Sequence, residues 1–214
     1  MAPTKDSVML AERWALPAQQ ERSRATRARI LAAAELVFAE KGYDGARLSD
    51  IAEAAGCSVG TMYFRFKDKD ALFFAIAESF VVDARTRLAS LLSGTATGTL
   101  PQIVELYVRA TAATFRAHKG LFRAIVERGM EHPQAMKTVF ALREELATAL
   151  ERALRGSGRH HRNLAMAVRM MTQMVYGFLL AGVLNKRAPT RIEQKRTIDE
   201  LVAAMIAYLE IRSQ

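Results

Sequence analysis

Apolar residues recur every three or four positions along most of the chain, and no strand-length run alternates apolar with polar between turn residues. That pattern predicts an all-α fold. The first clear stripe, Ile30, Ala34, Val37 and Phe38, predicts a helix over about Ser23 to Lys41, with Gly42 following where a left-handed cap is favoured. Tyr43, Asp44 and Gly45 form a turn. A short helix with Leu48, Ile51, Ala52 and Ala55 inward comes next, Gly56 breaks it, and a second short helix carries Val59, Met62, Tyr63 and Phe66.

A long helix is predicted over Lys69 to Leu92, with Leu72, Ile76 and Phe80 in line. After the loop Ser93 to Thr99, further helices are expected at about Leu100 to Ala117, Gly120 to Met130, Pro133 to Arg155, Arg162 to Leu184 and Ile192 to Arg212. Thr99 with Gln102, and Thr190 with Glu193, carry the spacing of capping boxes. Leu164 to Leu184 is apolar enough to raise the question of a membrane span, but Arg169, Thr172 and Gln173 interrupt it, so a helix buried between its own domain and a partner is expected.

The single cysteine, Cys57, excludes an intramolecular disulfide framework and suits a reducing compartment, the cytoplasm by default. The segment before Ser23 lacks the apolar run of a signal peptide and is expected to be a flexible leader. Four scattered histidines lack metal-ligand spacing, and there is no nucleophile–base pair or glycine-rich phosphate loop, so neither a metal, a cofactor nor an enzyme is expected. The net charge of +9 suggests a polyanion, yet residues 1–70 hold 11 Lys+Arg against 10 Asp+Glu while the remainder holds 20 against 12. Charge alone therefore does not locate a nucleic-acid surface.

Position does better. Two short helices joined by a glycine-containing turn and backed by a third make a helix-turn-helix, here Leu48 to Phe66. The second helix must enter a major groove about 12 Å wide, and Ser58, Val59, Gly60 and Thr61 give it a small-faced tip. Gly60 permits close approach, Thr61 can bond a phosphate or base edge, and Val59 can touch bases. Tyr63, Arg65, Lys67 and Lys69 are placed to hold the phosphate backbone.

The run LSDIAEAAGCSVGTMYFRFKDKDAL, Leu48 to Leu72, resembles the DNA-binding segment of the TetR family, whose pattern it matches at Ile51, Ala52, Ala55, Gly56, Ser58, Gly60, Thr61, Tyr63, Phe66, Lys69 and Leu72. Three positions depart. Arg47 stands where a threonine is common and could still reach phosphate but would cap poorly, Cys57 replaces a valine, and Arg65 replaces a histidine. The resemblance implies a leader at residues 1–22, a DNA-binding domain at residues 23–68, and a ligand-binding and dimerisation domain at residues 69–214, entered through the long helix.

It further implies a homodimer on double-stranded, palindromic operator DNA, most simply a repressor released by a small-molecule inducer. A DNA-binding structural or interaction protein that needs no inducer is the alternative. Since the family's ligand cavity lies in the C-terminal helices, Tyr107, Phe115, Met130, Met170, Met174 and Phe178 are candidates for its wall. The family dimerises through its last two helices, which makes Met171, Leu180, Leu184, Leu201, Val202, Met205 and Leu209 candidates for the subunit interface. No membrane partner is expected.

Overall fold

The computed structural model describes residues 5–94, 98–128, 133–157, 161–185 and 189–210, and these are helices and short connections. In chain order they are α1 (Lys5–Gly45), α2 (Leu48–Ala54), α3 (Val59–Arg65), α4 (Lys69–Gly94), α5 (Leu100–Ala117), α6 (Lys119–Arg128), α7 (Pro133–Arg155), α8 (Leu164–Leu184) and α9 (Lys195–Glu210). The all-α expectation holds.

Three boundaries differ instructively. Helix α1 begins at Lys5, so most of the segment expected to be a flexible leader is helical. Residues 5–22 are rich in Ala, Leu, Glu, Gln and Arg, and extending an existing helix avoids the cost of a new nucleus, so no apolar stripe is needed. Near its other end α1 breaks at Gly42, where φ is 76°. Helix α9 starts at Lys195, not Ile192, because Glu193 pairs with Lys119 instead of reaching back to cap, and Ile192 is buried against Gly182.

At Thr99 the expected box does form, with the Thr99 N–H donating to Gln102 Oε1 at 2.9 Å. The N-terminal core gathers Ile30, Ala34, Phe38, Ile51, Met62 and Leu72, all wholly buried, the larger side chains each contributing about 1.5–3 kcal/mol by their burial. Helix α4 carries this core onward through Phe73, Ile76 and Phe80 into the layer formed by α5 to α9. Among the described residues α8 is the one helix long and apolar enough to cross a membrane, and its row Leu164, Val168, Met171, Val175 and Leu179 packs into the chain's own core.

Candidate nucleic-acid interface

The α2–α3 unit is held by local chemistry. Arginine has no acceptor, so Arg47 at the N-cap of α2 leaves the task to Asp50, whose Oδ2 accepts from Lys41 Nζ at 2.9 Å and from the Arg47 N–H at 3.3 Å. The Lys41 ammonium, first, and then that backbone bond hold the Asp50 carboxyl below its usual range. Gly56, at φ 62°, makes the left-handed turn. Ser58 then caps α3: its Oγ accepts from the Thr61 N–H at 3.1 Å and lies 2.9 Å from Thr61 Oγ1.

Met62 and Phe66 fix the inner side of α3, which decides what the outer side presents. Val59, Gly60, Tyr63 and Lys67 are exposed there, as expected of groove-facing residues, and Arg47 and Ser58 are exposed beside them. Phe64, which sequence reasoning missed, is the most prominent at 88% exposure, against 58% for Tyr63. Its signal was available: position 64 lies nearly opposite Met62 and Phe66 on the helix, with positions 60 and 63 beside it.

Two expected phosphate holders are turned elsewhere. Lys69 donates to the carbonyls of Tyr43 at 2.6 Å and Ala46 at 3.0 Å, with its ammonium 4.4 Å from the Tyr43 ring centroid. Free carbonyls at the end of α1 attract a cation, and Lys69, opening α4, stands within reach. The half-buried Arg65 donates from Nη1 to Ser23 Oγ at 3.1 Å, tying α3 to α1. A second overlooked group lies on that same stretch of α1: Arg22, Arg24, Arg27 and Arg29 are all exposed, and none forms an ion pair among the described residues. The string ERSRATRAR announced them, but Arg22 fell in the segment taken as leader and the other three were not singled out.

In the C-terminal layer a cavity of about 540 Å³ opens between α4, α5, α7 and α8. Tyr107 and Phe115 line it, as expected. Met170 and Met174 do not: both are exposed on the far side of α8, Phe178 is half-buried away from the wall, and Met130 lies outside the described residues. The wall instead includes Phe80, Phe122, Arg143 and Tyr176. Phe115 and Phe122 stack in parallel with centroids 3.9 Å apart, and Tyr176 meets Phe115 edge-on at 5.2 Å. Burial raises the Tyr107 phenol to about 12 and also raises that of Tyr176, so both stay neutral donors near pH 7.

The residues expected at the subunit interface mostly face inward. Met171, Leu201, Val202, Met205 and Leu209 are buried within the chain's own core, Leu180 is half-buried, and only Leu184 is exposed. The outer row of α8 is Met166, at 55% exposure, with Met170, Met174 and Leu184, while α9 exposes Ala203, Ala204 and Ala207. A helix apolar all round gives no periodicity from which to choose the core side. On α9 the apolar stripe is consumed by packing on α5 and α8.

Between cavity and α3 lies a clamp that sequence reasoning did not reach. Helix α6 runs against α1 in the most extensive helix pair of the described structure. Gly120 sits so close to α1 that a Cβ would lie 1.8 Å from the Glu35 carbonyl oxygen. His118 Nδ1 is 3.0 Å from the Glu35 carboxylate, Arg123 Nη1 donates to the Ala39 and Glu40 carbonyls at 3.1 and 3.2 Å, and Glu127 accepts from the Tyr43 N–H. Behind His118, Phe80 and Phe122 connect its ring to the cavity wall.

Two family patterns match the sequence: "Bacterial regulatory proteins, tetR family" over residues 30–76 and "Tetracyclin repressor-like, C-terminal domain" over residues 99–209. A transcriptional repressor of Mycobacterium tuberculosis is 49% identical over 53 residues, which are 25% of this chain and 28% of that protein. The transcriptional regulator UidR of Escherichia coli strain K12 is 29% identical over 165 residues, 75% of this chain and 83% of UidR. In structure, a TetR-family regulator from Mesorhizobium loti, 22% identical, superposes with a TM-score of 0.66 over 89% of this chain and 99% of that one.

Proposed function

Given that the chain belongs to the TetR family of bacterial regulatory proteins, and so is a DNA-binding transcriptional regulator, we propose that it acts as a homodimeric repressor released from its operator by a small molecule. The outer face of α3 carries this reading. Tyr63 and Phe64 stand in water on a helix capped by Ser58 and pinned by Met62 and Phe66, beside Lys67 and, across the Arg65–Ser23 bond, the arginines of α1. A polyanion with base edges and thymine methyls to cover satisfies all of them together.

The domains of this reading are residues 23–68 for DNA and 69–214 for effector and partner, with residues 5–22 extending α1 rather than trailing from it. The outer rows of α8 and α9 meet their copies across a two-fold axis, which sets two α3 helices for half-sites about 34–36 Å apart, or a multiple of that. Filling the cavity displaces Phe122 and with it α6, whose bonds to Glu35, Ala39, Glu40 and Tyr43 move α1 and the α2–α3 unit. An effector therefore favours one spacing of the recognition helices over another, which is all that release requires. The cavity favours this over regulation without an inducer.

The test is to select bound sequences from random DNA with the full-length protein and measure stoichiometry on the selected site. Two protomers on a palindrome are expected. Binding as a single protomer, or without sequence preference, would overturn the reading.

A further inference from the structure

The cavity also says what kind of molecule it takes, if it is the effector pocket of the preceding section, on which this inference rests. Among the described residues its wall holds no aspartate or glutamate but two arginines, Arg143 within and Arg87 at the exposed rim. Arg143 is half-buried, and the carboxylates beside it in sequence are held elsewhere: Glu144 faces Arg169 at 3.7 Å and Glu145 pairs with Arg85 at 2.6 Å. Its guanidinium instead lies over the rings of Phe140 and Tyr176, at 5.3 and 5.6 Å. Neither Arg143 nor Arg87 has an ion-pair partner among the described residues.

The hydroxyls of the wall sharpen the point. Thr86, Thr111, Thr114 and Thr172 already donate to the carbonyls of Val82, Tyr107, Ala110 and Arg169, at 3.0, 2.7, 3.0 and 2.9 Å, so they offer an entering molecule only lone pairs. The donors left are the two guanidiniums and the neutral phenols of Tyr107 and Tyr176. Apart from these and the threonine oxygens, the described wall is apolar, with the Phe115–Phe122 stack as floor. A cation drawn out of water into an apolar wall without a counter-charge is costly, and a ligand anion removes that cost. We propose that the pocket binds an amphipathic organic anion, a carboxylate or similar oxyanion on an aryl or alkyl body, with Arg143 holding the charged end and the stacked phenylalanines the body. Its volume falls within the ~300–1,000 Å³ usual for small-molecule sites.

The experiment titrates the full-length protein with 1-pyrenebutyrate and its neutral counterpart 1-pyrenebutanol, following pyrene fluorescence. The acid is expected to bind about tenfold tighter or better, as a charge-assisted bond to a guanidinium implies. Arg143→Gln should bring the two within about threefold of each other by weakening the acid alone, and Arg87→Gln, at the rim where folding is insensitive, should cut the acid's affinity by about threefold. Equal affinities in the unaltered protein, binding of neither probe, or a preference that survives both substitutions would overturn the proposal. Release from DNA is measured separately. If the acid binds with this preference but leaves the protein on DNA, the anion class stands and the effector mechanism falls; if the alcohol binds and releases DNA as well as the acid does, the mechanism stands and the anion class falls.

Discussion

The outer faces of α3 and α8 both leave large apolar side chains in water, Tyr63 and Phe64 on one, Met166 and Met170 on the other, yet they are built for different neighbours. Helix α3 is seven residues long, its exposed rings are rigid, and cations flank it. Helix α8 is 21 residues long, its exposed row is flexible thioether, and Arg169 is the one charged residue along its length. Short, rigid and ringed by positive charge fits a groove in a polyanion. Long, soft and almost uncharged fits another copy of itself. Exposure alone does not distinguish these uses; the charge around the apolar groups does.

Substitution can separate the two faces. Met170→Glu with Met174→Glu would place carboxylates in the proposed subunit interface, and loss of dimer stability by about 100-fold or more is expected in analytical ultracentrifugation, with the monomer still folded by circular dichroism. Tyr63→Ala with Phe64→Ala should leave the dimer intact and weaken binding to the selected operator by about 10- to 100-fold, measured by fluorescence anisotropy. A dimer defect in the second pair, or an intact dimer in the first, would erase the contrast between the faces.

Lys69→Met tests whether that cation belongs to the DNA face or to the scaffold. The bonds to Tyr43 and Ala46 predict a loss of about 1–3 kcal/mol in urea unfolding and an unchanged salt slope of operator binding. A flattened slope at full stability would return Lys69 to the phosphate contacts. Smaller still, Arg123→Ala should reduce the effect of a cavity ligand on operator affinity by about fivefold while leaving both separate affinities near normal, as expected if α6 couples the sites.

The last prediction concerns pH. Burial raises the phenols of Tyr43 and Tyr107, the latter to about 12, so the folded chain keeps protons that the unfolded chain loses from about 10 upward. Stability should be level through neutral pH and fall as pH rises past 10, and Tyr107→Phe should make that fall shallower.

Much of this architecture is written locally. Helix α5 is legible from its Thr99 box and clean apolar stripe, and the α2–α3 unit from Gly56, Ser58 and the inward spacing of Ile51, Met62 and Phe66. Periodicity locates a helix and its apolar side when the other side is polar. It cannot orient α8, where Met171 faces the core and Met170 faces water although both are apolar neighbours. Nor can it reveal that the Lys69 ammonium meets the carbonyls of Tyr43 and Ala46, or that Gly120 meets Glu35, because those encounters depend on where α1 lies against other helices.

That meeting of Gly120 and Glu35 sets how motion passes through the molecule. Side chains between helices can change rotamer and absorb a displacement. Here backbone rests on backbone, with no compressible layer between. A push on α6 would reach α1 with little damping; toward its N-terminus α1 runs on from Glu35 as helix, whereas toward α2 the break at Gly42 leaves a joint. A bulkier residue at position 120 would alter the rest position of α1 before any ligand arrived.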